Sequence, residues 1–124
     1  MARRIDDSTG RAALSAWRSG DRARTTVATA VRWTLQHLAL VAPGGSVEVR
    51  VPPWGVAQCI AGPRHTRGTP PNVVETDAAT WLRMVAGLQT WDQAVAEGRV
   101  SASGNRADLA ELLPLRPFRS GPPA

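Results

Sequence analysis

Apolar residues recur at helical spacing through the first long segment of the chain. Val27, Val31, Leu35, Leu38 and Ala42 fall on one stripe, with Thr25, Thr29, Arg32 and Gln36 opposite, which predicts a helix over residues 25–40. Trp33 and Leu40 sit on the polar side of it, so that side is expected to be partly covered as well. Pro43-Gly44-Gly45 ends the helix and turns the chain. The period then changes from 3.6 to 2. In residues 46–51, Val47, Val49 and Val51 alternate with Glu48 and Arg50, the pattern of a strand with one buried face. Pro52-Pro53 stops it. Residues 54–60 read as a second strand, with Trp54, Val56, Gln58 and Ile60 on one face and Ala57 and Cys59 on the other. The short connection favours an antiparallel hairpin.

After a Pro-, Gly- and Arg-rich loop over residues 62–72, Val73–Thr76 offers a third short strand. Asp77 or Thr76 caps a helix carrying Ala78, Trp81, Leu82, Val85 and Leu88. Thr90 to Gln93 is a capping-box pattern that opens a further helix, closed by Gly98. Val100–Ser103 is a short strand, and residues 106–113 make a last helix with Ala107, Leu109, Leu112 and Leu113 as its apolar set. Upstream, residues 11–18 form about two helical turns with Ser8 or Thr9 as N-cap, broken by Ser19-Gly20-Asp21. A helix, a run of strands, then helices round a short strand is an α+β order, with a mostly antiparallel sheet and helices on one side. Residues 1–23 form an N-terminal extension, residues 24–115 the domain proper, and residues 116–124 a tail expected to be disordered.

At 124 residues the chain is long enough for a core without disulfides or structural metal. Its longest apolar run is far too short for a membrane span, no secretory signal pattern opens it, and the single Cys59 has no internal partner, so the cytoplasm is the expected compartment. All fifteen basic residues are arginine, for a net charge of +5. Residues 1–24 carry six Arg against three Asp, whereas residues 77–124 are balanced. The excess is too diffuse for a nucleic-acid footprint, which clusters on one face.

Candidate chemistry is sparse. Arg64, His65 and Arg67 crowd into the central loop, where two guanidiniums could grip a carboxylate or phosphate, with His65 responding to pH. The plainer alternative is a proline-stiffened surface loop whose arginines pair with Glu75 or carbonyls. Cys59 reads as a small buried apolar residue before it reads as a nucleophile. His37 and His65 with one cysteine give no metal-ligand spacing, and no phosphate-binding glycine motif is present, so neither a metal nor a cofactor is expected. Five tryptophans stand beside one Phe and no Tyr. Trp54, Val56, Trp81, Met84, Val85, Leu88 and Trp91 could line an apolar ligand cavity between sheet and helices. Core packing has the same composition and accounts for most of them equally well.

Four stretches carry a resemblance: SVEVRVPPWGVAQC (residues 46–59), GPRHTRGTPPNVVETD (62–77), TWL (80–82) and GRVSASGNRADLAELLPL (98–115). In these the chain resembles the sterol carrier family proteins of actinobacteria, a bacterial branch of the sterol carrier protein type 2 superfamily. The resemblance implies a largely antiparallel sheet of about five strands with helices on one face, an apolar tunnel for a fatty-acyl or sterol-like ligand, and no catalytic residues. The arginine-rich loop and the Pro-Pro-Ala end depart from the animal carriers, which carry a peroxisomal address. The leading expectation is a non-enzymatic carrier of an apolar, acidic small molecule. The alternatives are an accessory domain for a mycothiol- or coenzyme A-linked enzyme, which would be a protein partner, and last a nucleic-acid binder acting through its arginines.

Overall fold

The computed structural model describes residues 4–62 and 72–115. Among these it is an α+β structure in the order α1 (Asp7–Arg18), α2 (Arg24–Val41), β1 (Val47–Val51), β2 (Gly55–Cys59), β3 (Val73–Thr76), α3 (Ala78–Ala86), α4 (Trp91–Ala96) and β4 (Val100–Ser103). The strands form one sheet of order β2-β1-β3-β4. β1–β2 and β3–β4 are antiparallel, while β1–β3 is parallel. Two of the three pairings are antiparallel, as expected of a mostly antiparallel sheet, and the described residues give four strands where about five were expected.

Strand register carries the alternation seen in the sequence across the whole sheet. Val47, Val49 and Val51 stand opposite Cys59, Ala57 and Gly55, and Val49 is level with Val74, which pairs with Ala102. These positions share the core face, and Val47, Val49, Val51, Val74 and Cys59 are wholly buried. Glu48, Arg50, Val56, Gln58, Glu75, Ser101 and Ser103 share the other face, where Arg50 donates from Nε to Glu48. Of the two faces predicted for β2, the one that turns to the core is that of Ala57 and Cys59. Val56 stays 59% exposed.

The long helix α2 buries Val31, Leu35 and Leu38 of the predicted stripe. Its Trp33, on the side read as polar, is 1% exposed because α1 lies across it. Gly10 is the point of closest approach: a Cβ built there would stand 2.0 Å from Trp33 Cγ and Cδ2. The indole Nε1 donates to Asp7 Oδ1 at 3.1 Å, and Leu14 and Trp17 complete the buried side of α1. α1 starts earlier than expected, and its N-cap is Asp6. The Ser8 and Thr9 hydroxyls, read as caps, donate instead to the Asp6 carboxylate, which with the backbone bonds there holds its pKa below the ordinary value.

Helix α3 is set by its ends. Asp77 accepts from the Thr80 backbone N–H (2.8 Å) and hydroxyl (2.9 Å). Gly87 at φ 80° lets Leu88 N–H reach the Arg83 carbonyl at 2.8 Å, the bond pattern that closes a helix on a left-handed glycine. The Thr90/Gln93 capping box opens α4 as the sequence indicates. Trp81 ties α3 to α2 by donating from Nε1 to Thr34 Oγ1 at 2.8 Å, with both side chains fully buried.

The helix expected over residues 106–113 does not form; the segment is a chain of turns. Asp108 Oδ1 accepts from Ala110 N–H, an amide that a helix would turn to the Arg106 carbonyl, while Asn72 Oδ1 accepts from Arg106 N–H and anchors the head of the segment. Its apolar set is nonetheless placed inward: Ala107, Leu109 and Leu113 are buried with Leu115, whose N–H donates to Val85 O at 3.3 Å.

Candidate functional site

A largely apolar depression runs between α2 and the outer edge of β2. Leu35 and Ala39 of α2 face Trp54, Val56 and Ala57, with Ile5 closing one side, round a volume of about 600 Å³. That lies within the range of small-ligand sites, about 300–1,000 Å³. Gly55 sets how near the strand comes: a Cβ there would meet Leu35 Cδ1 at 3.2 Å. Arg32 Nε donates to the Trp54 carbonyl at 2.9 Å, tying the β1–β2 turn to the helix, and the Arg24 guanidinium lies 5.5 Å from the Trp54 ring centre. On the opposite side Gln36 holds the N-terminal segment by a reciprocal pair. Its Oε1 accepts from Ile5 N–H at 2.9 Å, and its Nε2 donates to Ile5 O at 2.8 Å.

Of the seven residues expected to line an apolar cavity, the structure brings together only Trp54 and Val56, on the wall of this groove. Trp81, Met84 and Val85 are fully buried in the core, and Trp91 is 6% exposed at the start of α4. Leu88 follows the α3 C-cap and is 57% exposed. The anion candidates Arg64, His65 and Arg67 lie outside the described residues. Sequence reasoning missed Leu35 and Ala39 as walls and Arg32, Gln36 and Ile5 as their frame. The available signal was α2 itself, whose side opposite the main stripe mixes Arg32 and Gln36 with Trp33.

A second depression, about 610 Å³, lies at the far end of α2 among Pro43, Ile60, Leu112, Arg106, Asp108 and Glu111. Its rim carries both signs of charge and less apolar wall, so it suits an apolar ligand less well. Cys59, inside the core face of β2, has its thiol pushed up to about 11 by burial, which keeps it protonated and unreactive. Among the described residues no three His, Cys, Asp or Glu side chains come together as metal ligands.

The described residues thus form a small α+β domain with an apolar groove between a long helix and a sheet edge. Residues 23–115 match the family of bacterial sterol carrier protein orthologues, and the chain belongs to that family. The match starts at the head of α2, so α1 and the segment before it lie outside it. No curated protein shows a significant match to the chain. Among the described residues no helix is long and apolar enough to cross a membrane.

Proposed function

We propose that this protein is a non-enzymatic carrier that holds an apolar small molecule in the groove between α2 and β2. The observation that carries the reading is the groove's composition and size: a floor of Leu35, Ala39, Trp54 and Ala57 in about 600 Å³. Family membership supports the same reading, since the family is that of sterol carrier orthologues. Each methylene taken from water contributes about 0.8 kcal/mol. A series of fatty alcohols should therefore bind about tenfold more tightly for every two carbons added, until the groove is full. Ala39→Trp, which fills the groove from the helix side, should weaken the longest binder at least tenfold while leaving the fold intact by circular dichroism. Titration calorimetry across the series measures both. Affinity that ignores chain length, or that Ala39→Trp leaves unchanged, would sink the proposal.

A further inference from the structure

The charge round the groove is of one sign. Arg4 and Arg32 are the charged residues that line it, Gln36 and Gln58 supply polar side chains, and among the described residues no carboxylate lines it. Arg24 stacks at the Trp54 end and adds a third cation. The acids closest in sequence to Arg4 are engaged elsewhere. Asp6 accepts from Ser8 and Thr9, and Asp7 from Trp33 Nε1.

One of these cations is bonded through its side chain, and the backbone beside a second is clamped. Arg32 uses Nε on the Trp54 carbonyl, which fixes the guanidinium plane at the groove and leaves the terminal nitrogens, in the fork that grips an oxyanion bidentately, without another bond among the described residues. Arg4 is placed by its neighbour, because the Gln36 amide clamps both backbone groups of Ile5. An apolar trough with cations and, among the described residues, no acids at its rim is complementary to a chain with a negative head. It is poorly suited to a neutral or cationic ligand, which would leave the arginines without counter-charge.

We propose that the groove takes a single-chain amphiphile with an oxyanion head, carboxylate or phosphate, and that Arg32 and Arg4 are the residues that select it. The segment before α1, outside the part of the chain that matches the family, is then part of the ligand site. The proposal rests on the carrier reading and adds the chemical class of the ligand to it.

The test is calorimetry at low salt with four probes of one chain length: dodecanoate, dodecyl phosphate, dodecanol and dodecyltrimethylammonium. One or both anions should bind about tenfold more tightly than dodecanol, the cation more weakly, and the gap should narrow as salt rises. The anion preferred names the head. Arg32→Gln should bring anion and alcohol to within about twofold of each other without changing the alcohol. Arg4→Gln should do the same in part. Arg32→Lys, which keeps the charge but not the fork, should retain an intermediate preference and so separates charge from the Trp54 bond. Equal affinity for dodecanol and both anions, or an Arg32→Gln loss equal for all four probes, overturns the head assignment while leaving the carrier reading in place. Failure of all four probes to bind overturns both.

Discussion

Replacing Gly10 by alanine pits two effects of known size against each other. Gly10 lies inside α1, where alanine is favoured by about 1 kcal/mol on helix propensity alone. The new methyl would sit 2.0 Å from two ring atoms of Trp33 and 2.5 Å from a third, Cδ1. Ordinary carbon contacts are about 3.5 Å or more, so helix and indole must part by roughly 1.5 Å. Trp33 is 1% exposed, and its Nε1 is committed to Asp7, which leaves the ring little room to yield. Overpacking of this kind costs about 1–3 kcal/mol, and a parting that large stands at the upper end. The net expectation is a loss of about 1–2 kcal/mol, a fall in Tm of about 4 °C per kcal/mol for a chain of this size. Urea denaturation followed by far-UV circular dichroism measures it. In a Trp33→Leu background the obstacle is gone, and Gly10→Ala should become stabilising by up to about 1 kcal/mol, a coupling of about 2 kcal/mol in the double-mutant cycle. Should Gly10→Ala stabilise the wild-type chain by its helix propensity, α1 does not approach Trp33 at Gly10 and does not bury it.

Two further substitutions test the caps and cross-links. Asp77→Ala should cost about 1 kcal/mol at neutral pH, the usual worth of an N-cap. Burial alone would raise the Asp77 pKa, but the bonds from Thr80 outweigh it and lower the value below 3.8. The wild-type advantage is therefore complete above pH 3.8 and disappears as pH falls through the lower folded value, so melting curves of the two proteins should converge in acid. Asn72→Ala removes a buried amide that donates to Ser46 O at 2.7 Å and accepts from Arg106 N–H at 2.9 Å. A loss of about 2–3 kcal/mol is expected, with faster hydrogen exchange at Arg106; an unchanged Arg106 amide would show that this bond does not hold the C-terminal turns.

The elements that were legible in the sequence are those whose signals are local. The alternation of Val47, Val49 and Val51, the Asp77 cap and the Thr90–Gln93 box each depend on residues within one turn or one strand, and each has its expected place. The segment after Arg106 has an apolar spacing that suits a helix, while the competing bond comes from the Asp108 side chain and the anchor at its head from Asn72, 34 residues away. The groove was illegible for a similar reason. It exists only where Ala39 and Ala57 share a wall and where Gln36 catches Ile5, a meeting of elements that no periodicity encodes. Trp33 gave a partial signal: an indole among polar neighbours announced a covered face, though not that α1 covers it.

The two faces of the sheet also bear on how the chain can change over evolutionary time. Glu48, Arg50 and Glu75 stand on the face without the buried valines, where exchange of one polar residue for another disturbs little packing. Length is another matter. Loss or gain of one residue within β1 would turn the valines on one side of the change outward and carry the polar residues between them into the core. Because β1 is paired on both sides, the error would reach β2 and β3 together. Substitutions can thus accumulate in these strands while insertions and deletions are confined to the connections between them.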